Sequence, residues 1–421
     1  GKVEWSDYMP WYYLLKSMII TIPLIVITGL LIFVLLSIKK CSFEKVVKYV
    51  LTAFTVVFPL VFVMQIRSNL YSSWRQFLFL YPGIVLFSAV GYSHLFKATK
   101  SNYAKTAAAS IMVLLSVHPF RFMSSSLPYS YIYYNQFVGG LEGAYGNYET
   151  DYYYVSQTEA SEWLINYLKE KKNTENVKIK ATYTVSWMFR NYPGIETSYF
   201  RNEERSLYDW DYAIVANRYI SPYQLKNKIW PPKNTIHTVN ASGVPLCAIL
   251  ERGTKSDFYG YQALRQDRIR EAIEYFEDAL KRIDDDEMIF YNFGAALYRD
   301  GQTEKADSIL KKGLELNPDF DLILMYLGNI AKAENREDEA VKYYERLLCV
   351  NRKYFDAYIG LADILVRNDV LKAREVLRTC LKINPGYKPA IRALAETYKE
   401  SNPDIAEKYY ELLRTIDNKN R

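Results

Sequence analysis

The stretch YNFGAALYRDGQTEKADSILKKGLELNPDF, residues 291–320, contains small residues that recur along the chain every 34 residues. The glycine and alanine of this stretch have counterparts one period before and one period after: Gly260, Gly294 and Gly328, and Ala272, Ala306 and Ala340. A large side chain follows each of these alanines by four residues: Phe276, Leu310 and Tyr344. This period is typical of stacked helix pairs, in which small residues let two helices approach and large residues fill the space between pairs.

The repeats continue towards the C-terminal end of the chain. A further unit has Ala362 at the glycine position and Ala373, one residue early, at the alanine position, followed by Leu377. This pattern resembles the tetratricopeptide repeat family. The resemblance implies an α-solenoid over residues 254–421, with four full repeats and a fifth over about 387–413, and such solenoids bind proteins or peptides.

Cations recur at the thirteenth position of the repeat, near the end of each first helix. They are Arg265, Arg299 and Arg367, and Lys332 stands beside Ala333 where the third would be. A row of cations along a concave groove would suit an acidic or carboxylate-bearing peptide. The alternative is that each cation offsets the dipole at the C-terminal end of its helix. A protein or peptide partner is predicted for this groove.

The first 122 residues have a different composition. Uncharged runs cover residues 17–37, 49–66, 77–96 and 106–120. Because ~20 apolar residues in an α-helix cross about 30 Å of hydrocarbon, residues 1–122 are predicted to form about four transmembrane helices. The fourth run is the shortest and the richest in alanine. Four such runs in succession disfavour the alternative, which is helices buried in the core of a soluble protein.

Cations in the loops predict the orientation of these helices. The first and third loops contain Lys39, Lys40, Lys45 and Lys48, and Lys97, Lys100 and Lys105, whereas the second contains Arg67 and Arg75. Cytoplasmic loops carry the excess of Lys and Arg, so the Arg75 loop and everything after about residue 121 are predicted to be extracytoplasmic. The N-terminal segment is then also outside, and without a signal peptide this predicts that the chain is a fragment of a longer membrane protein.

Short motifs at the predicted outer ends of these helices resemble a known family of membrane enzymes. They are Pro10-Trp11-Tyr12-Tyr13, Trp74-Arg75 with Tyr81-Pro82, His118-Pro119-Phe120, Tyr134-Asn135, and GGLEGAYGNYETDYY at residues 139–153. Over roughly residues 1–250 the chain resembles the second half of a GT-C superfamily glycosyltransferase, in the branch of protein mannosyltransferases and lipid A aminoarabinose transferases. The catalytic carboxylate of that family lies on an outer loop after its first helix, and no acid in residues 1–122 stands at such a position.

The resemblance implies that this half of the enzyme binds a polyprenyl-phosphate sugar at the outer face. Arg75 is the main candidate for the donor phosphate, because a guanidinium fork can pair bidentately with phosphate oxygens and stabilise the phosphate as it leaves. Lys16, Tyr12 and Tyr13 complete the candidate phosphate site. The alternative is that Trp74, Arg75 and Lys16 anchor the helix ends among lipid headgroups.

Polar and aromatic residues that follow the last apolar run give further candidates. Glu149 and Asp151 occupy alternate positions, so on an extended segment both carboxylates would point the same way and could hold a divalent cation or accept hydroxyls of a sugar or acceptor. A solvated loop is the alternative. No resident metal or other cofactor is predicted. His118 is predicted to mark the interfacial end of the fourth helix, with proton transfer as the alternative.

Nine tyrosines lie between residues 129 and 154, and they are predicted to belong to an interfacial aromatic belt, because one end of the ring is apolar and the other is wet. They are Tyr129, Tyr131, Tyr133, Tyr134, Tyr145, Tyr148, Tyr152, Tyr153 and Tyr154.

Residues 123–253 are predicted to form a small α/β domain. A helix is predicted from Ser156 to about residue 171, with Ser156 and Glu159 as a capping box. Strands are predicted over 177–185, 211–219 and 245–252, with a polar helix over 221–229. His237 is predicted to be structural. The cysteines show no paired spacing and are expected to be buried small hydrophobes rather than disulfide or zinc partners: Cys41, Cys247, Cys349 and Cys380.

The sequence therefore predicts a mainly α fold with polytopic transmembrane helices, a small extracytoplasmic α/β domain and a C-terminal α-solenoid. The predicted function is an integral membrane glycosyltransferase that uses a polyprenyl-phosphate sugar, with repeats that recruit the acceptor or a partner protein. The alternative is a non-catalytic, membrane-anchored scaffold, and a polymerase or ligase of surface polysaccharide would share the topology. The net charge of +6 is largely explained by membrane flanks, so no nucleic-acid partner is predicted.

Overall fold

The chain forms two compact units. The structure, a computed structural model, describes residues 9–37, 43–66, 68–70 and 72–419. One unit comprises Gly1–Asn202, Trp210–Pro231 and Thr235–Glu251, and the other comprises Glu203–Asp209, Pro232–Asn234 and Arg252–Arg421. The predicted membrane and α/β regions both fall largely in the first unit, and the predicted solenoid falls in the second.

The first unit begins with five apolar helices: α1 (Tyr13–Thr21), α2 (Leu24–Ser37), α3 (Phe43–Ile66), α4 (Tyr81–Ala98) and α5 (Asn102–Ser125). A 3-10 turn, Arg75–Leu80, leads directly into α4. Among the described residues, three stretches have the length and apolar composition of membrane spans, and α1 with α2 makes a fourth if a bent pair counts as one span. The three stretches are Val46–Ile66, Arg75–Ala98 and Asn102–Ser125. Four residues of the first two predicted loops lie outside the described residues: Lys39, Lys40, Cys41 and Arg67.

The run over residues 17–37, which is predicted to cross the membrane as a helix, is broken in the structure, because the chain bends by 114° between α1 and α2. Ile22 is extended at the bend, and Pro23 follows it. Proline lacks the N–H that would continue the helix, and its ring clashes with the preceding turn. Buried Asn135 satisfies carbonyls left at the break: its side-chain amide donates to the carbonyls of Ile19, at 2.6 Å, and Ile22, at 2.8 Å.

An α/β layer completes the first unit. Its helices are α6 (Gly140–Ala144), α7 (Val155–Glu170) and α8 (Pro222–Lys226), and its strands are β1 (Val177–Ala181), β2 (Ile195–Tyr199), β3 (Tyr212–Ala216), β4 (Thr235–Ala241) and β5 (Val244–Glu251). The strand order is β2-β1-β3-β5-β4, with β1 parallel to β2 and β3, and β5 antiparallel to β3 and β4. The three predicted strands correspond to β1, β3 and β5. The edge strands β2 and β4 were not predicted, since only one face of an edge strand needs apolar side chains.

The start of α7 differs from the predicted capping box. Tyr154 precedes the helix with a left-handed φ of 56° and makes no side-chain cap. Asp151 takes the capping role, because its carboxylate accepts the Val155 N–H at 3.0 Å and the Ser156 hydroxyl. Glu159 instead accepts a hydrogen bond from the Tyr129 hydroxyl at 2.5 Å. The predicted helix is confirmed, whereas the predicted capping box is wrong.

Buried apolar residues of α7 pack against the sheet. Leu164 and Leu168 belong to one core cluster with Ile179, Ile214 and Ile249, all of them almost fully buried. The ring of His237 stacks on Trp163 with centroids 4.3 Å apart, consistent with a structural role. Cys247 and Cys380 are buried as expected, whereas Cys349 is exposed.

The second unit contains ten helices within the described residues: α9 (Ser256–Arg265), α10 (Ile269–Leu280), α11 (Glu287–Arg299), α12 (Thr303–Leu316), α13 (Asp321–Ala333), α14 (Glu337–Val350), α15 (Phe355–Asn368), α16 (Val370–Ile383), α17 (Lys388–Tyr398) and α18 (Pro403–Lys419). Consecutive helices pack as pairs, which gives a tetratricopeptide-like solenoid. A Cβ atom on Gly294 would lie 2.5 Å from the Leu310 side chain, and one on Gly328 would lie 2.6 Å from Tyr344. The prediction that these glycines stand at helix contacts is confirmed.

Candidate functional site

The first unit contains a cavity of about 420 Å³ where the apolar helices meet the tyrosine-rich segment. This volume lies within the range of about 300–1,000 Å³ typical of small-molecule sites. The walls come from α1 and the α1–α2 break, the turn before α4, the end of α5 and the segment after it. They include Thr21, Pro23, Ser73, Trp74, Arg75, Leu78, Tyr81, Pro119, Met123, Ser130, Tyr131, Ile132, Tyr133, Tyr134 and Tyr152.

Of the two cations in the candidate phosphate site, Arg75 is the one that lines this cavity. It is half-buried at the start of the 3-10 turn. Its guanidinium carbon lies 6.0 Å from the centroid of the Tyr152 ring and 5.4 Å from that of Tyr153, within the range of cation–π contacts. The neighbouring Trp74 is buried, and its indole N–H donates to Thr21 Oγ1 at 2.6 Å. Trp74 therefore fixes the turn that carries Arg75 instead of facing lipid headgroups.

The other three predicted phosphate ligands do not line the cavity. Lys16 is exposed, and its ammonium lies 5.2 Å from the centroid of the Tyr148 ring. Tyr12 is also exposed and meets Trp11 edge to face. The Tyr13 hydroxyl accepts the backbone N–H of Ser73 at 3.0 Å, so it positions the turn before α4.

The carboxylates of Glu149 and Asp151 have separate partners. Glu149 is exposed and pairs with Arg218 at 3.2 Å. Asp151 is fully buried and accepts hydrogen bonds from the hydroxyls of Tyr131 and Ser156. Within the described ranges, no group of three or more His, Cys, Asp and Glu side chains could hold a metal ion. The two carboxylates therefore do not point the same way: Glu149 forms a surface ion pair, and Asp151 caps the buried start of α7.

Asp151 connects the cavity wall to the core of the α/β layer. Burial raises the pKa of Asp151, and hydrogen bonds from Ser156 and Tyr131 partly oppose that shift. Tyr131 lines the cavity, and burial together with the nearby Asp151 carboxylate raises the pKa of its hydroxyl. Tyr131 thus presents a neutral ring, held by a buried acceptor, to any ligand. The spacing of Tyr131 and Asp151 in the sequence gives no indication of the hydrogen bond between them.

His118 contacts the same cavity wall through Tyr133. His118 Nδ1 and the Tyr133 hydroxyl lie 3.1 Å apart, and the two rings meet edge to face. Burial raises the pKa of Tyr133 to about 12. His118 therefore helps to position a lining residue, and it does not itself line the cavity.

The expected aromatic belt is largely internal. Tyr129, Tyr134 and Tyr154 are buried, and the Tyr134 hydroxyl donates to the carbonyl of Glu149 at 2.6 Å. Tyr153 is exposed, with about half of its surface accessible. The tyrosines thus act mainly as walls and internal donors, which is a correction to their predicted place at the lipid interface.

Arg218 is a connecting residue that the sequence did not reveal. Besides Glu149, its guanidinium donates to the hydroxyl of Tyr154 at 2.9 Å and to Ser72 Oγ at 3.2 Å. Ser72 is buried immediately before the turn that carries Arg75. Arg218, which follows β3, thereby ties the α/β layer to the entrance of α4.

In the second unit, three of the four predicted groove cations pair with acids of a neighbouring repeat. Arg299 contacts Asp267 at 2.7 Å, Lys332 contacts Asp363 at 2.6 Å, and Arg367 contacts Glu337 at 2.9 Å. Arg265 is exposed at the end of α9. These pairs join adjacent repeats and reduce the charge that the cations present to a ligand.

Comparisons with known proteins concern the repeats. Residues 289–320 match the family model of a tetratricopeptide repeat. No curated protein matches the chain significantly. Similar solved structures include MamA, at 21% identity and a TM-score of 0.36 over 38% of this chain and 95% of that one. MamA from Desulfovibrio magneticus RS-1 has 16% identity and a TM-score of 0.37 over 39% and 94% of the two chains. YrrB, described as a TPR protein with an unusual peptide-binding site, has 15% identity and a TM-score of 0.35 over 39% and 86%.

Proposed function

We propose that this chain is a membrane-anchored protein that binds a protein or peptide partner through its C-terminal solenoid. The observation that carries the proposal is the run of five helix pairs from α9 to α18, part of which matches a tetratricopeptide repeat model. Solenoids of stacked helix pairs offer extended concave surfaces for binding. The three apolar helical stretches of the first unit supply the proposed anchor.

Site-specific photo-crosslinking in cells tests this proposal. A photoreactive amino acid replaces Tyr326, on the first helix of the third repeat, or Lys342, an exposed position on the second helix of that repeat. A discrete crosslinked product is expected from position 326 and not from position 342. Absence of a product from position 326, or identical products from both positions, would contradict a partner in the groove.

A second candidate function is transfer of a sugar from a polyprenyl-phosphate carrier. The observation that favours it is the position of Arg75 in the wall of the cavity, beside the rings of Tyr152 and Tyr153. An arginine at headgroup depth could pair with the carrier phosphate while aromatic rings pack against the sugar.

Equilibrium binding to the full chain in lipid nanodiscs tests the phosphate part of this second function. A polyprenyl phosphate is expected to bind saturably, and the corresponding uncharged polyprenol is expected to bind more weakly. Equal binding of the two lipids would show that the cavity does not recognise the phosphate.

A further inference from the structure

Five half-buried tyrosines belong to the first four repeats of the solenoid, and together they are called the tyrosine face here: Tyr261 on α9, Tyr291 and Tyr298 on α11, Tyr326 on α13, and Tyr354 immediately before α15. The ring centroids of Tyr291 and Tyr326 lie 5.6 Å apart, and those of Tyr298 and Tyr326 lie 6.1 Å apart. Tyr291 also meets Phe320 at 6.1 Å. Rings of the second and third repeats are therefore in direct contact and form the centre of the tyrosine face.

Tyr291 has three other members of the tyrosine face as neighbours: Tyr261, Tyr326 and Tyr354. Burial raises the pKa of Tyr291, and the neighbouring Tyr326, Tyr354 and Tyr261 raise it further. Within residues 72–419, no protein group hydrogen-bonds to the hydroxyls of Tyr291, Tyr298 or Tyr326. All three hydroxyls are thus donors that a bound ligand could use.

The charges beside the tyrosine face do not favour an acidic ligand. Arg299 and Lys332, which would attract one, are paired with Asp267 and Asp363. Asp321 lies near enough to Tyr291 and Tyr354 to contribute to the raised pKa of each. The Asp321 carboxylate repels an acidic side chain, and Arg299, the cation near Tyr326, is paired with Asp267.

The ring geometry also distinguishes between ligands. The planes of Tyr291 and Tyr326 are inclined by 83°, and those of Tyr298 and Tyr326 by 86°. Rings in edge-to-face contact present alternating faces and edges to a ligand, rather than a flat platform on which a sugar ring stacks. Uneven surfaces lined by aromatic rings suit compact, rigid apolar groups such as the ring of proline.

We propose that the tyrosine face binds an extended, uncharged, proline-rich segment of a protein partner in the polyproline II conformation. This inference rests on the proposed function, in which the solenoid binds a protein or peptide. A polyproline II segment makes no internal hydrogen bonds, so its carbonyls are free to accept from the tyrosine hydroxyls. Its backbone is already ordered, so binding costs little conformational entropy.

Fluorescence anisotropy with the full chain in detergent tests the inference. The probes are a labelled peptide of repeated Pro-Pro-Ala units, a peptide of repeated Glu-Glu-Ala units of equal length, and a labelled linear glucan. The proline-rich peptide is expected to bind most tightly. Tyr326→Phe removes one hydroxyl and is expected to weaken binding of the proline-rich peptide about two- to tenfold, the effect of one neutral hydrogen bond. Tyr326→Ala is expected to weaken it more, since the ring is then lost as well.

Tyr410→Phe is the matched control, because Tyr410 lies on α18 and its hydroxyl donates to Glu396 at 2.6 Å, away from the tyrosine face. This variant should bind as the parent does. Tighter, salt-sensitive binding of the acidic peptide would overturn the inference and leave peptide binding by the solenoid intact. Binding of the glucan alone would overturn the inference and the proposed function together. Equal binding by Tyr326→Phe, Tyr326→Ala and the parent would exclude the tyrosine face as the site.

Discussion

Asn135 donates its side-chain amide to the backbone carbonyl of Ile22 at 2.8 Å, across 113 residues of sequence. The same amide reaches Ile19, and the backbone N–H of Asn135 donates to the carbonyl of Ile20 at 2.9 Å. A helix break in an apolar environment is tolerated only if its freed backbone groups find partners. Asn135 therefore makes possible the bend at Pro23, which forms one wall of the cavity.

Replacing Asn135 by alanine is expected to destabilise the first unit by about 2–4 kcal/mol, because the carbonyls of Ile19 and buried Ile22 lose their donor. The measurement is the thermal unfolding midpoint of the full chain in detergent. Asn227→Ala is the control, since the exposed Asn227 amide donates to the carbonyl of Tyr223 at the surface and its loss should have little effect. Equal midpoints for the two variants would show that the break is stable without Asn135.

Gly294→Leu is expected to destabilise the solenoid by about 1–3 kcal/mol, because a side chain at this position would overlap Leu310. Gly253→Leu is the matched control, since a Cβ atom on Gly253 would meet nothing within 4 Å. Both variants are compared with the parent by loss of helical circular dichroism on heating. A midpoint for Gly294→Leu equal to that of Gly253→Leu would contradict close helix contact at Gly294.

The repeats could be predicted from the sequence because their contacts are periodic. The contact of Gly294 with Leu310 repeats 34 residues later as that of Gly328 with Tyr344, so local spacing contains the information. The break at Pro23 could not be predicted in this way. An apolar run indicates only that a segment avoids water, and Asn135, which stabilises the break, is remote in sequence. The groove cations were identified, but Asp363 and Glu337, which pair with them, come from other repeats.

Asp151 is expected to make the stability of the first unit depend on pH. Burial raises its pKa above the ordinary value of 3.8, so the folded state binds the proton more tightly than the unfolded state. The resulting stabilisation is fully present below the unfolded pKa and is lost as pH rises through the folded pKa. Asp151→Asn, which cannot titrate, should lack this contribution.

The measurement for Asp151 is the unfolding midpoint of parent and variant between about pH 4 and pH 7. The midpoint of the parent relative to that of Asp151→Asn is expected to fall as pH rises across this window. A constant difference between the two proteins would show that Asp151 has the same pKa in the folded and unfolded chain.

Exposed Cys349 provides a test of the proposed orientation, in which the solenoid is extracytoplasmic and the first loop, with Cys41, is cytoplasmic. A membrane-impermeant maleimide is expected to label the chain in intact cells, and Cys349→Ser should abolish that labelling. Cys247 and Cys380 are buried and should not react in the folded protein. Labelling of the parent only after the membrane is permeabilised would reverse the orientation.

Arg75→Lys separates the two roles considered for Arg75. An interfacial anchor needs only a cation on a long stem, which lysine provides, whereas bidentate pairing with a phosphate needs the guanidinium fork. If Arg75 holds the carrier phosphate, Arg75→Lys should weaken binding of a polyprenyl phosphate to the chain in nanodiscs roughly tenfold or more, since a hydrogen bond to a charged group contributes about 1.5–3 kcal/mol. The amount of inserted protein should not change.

Lys16→Ala is the control, because Lys16 is exposed and does not line the cavity. This variant should bind the lipid as the parent does. If Arg75→Lys binds the lipid normally and only Arg75→Ala reduces the amount of inserted protein, Arg75 is an anchor and the cavity has another ligand.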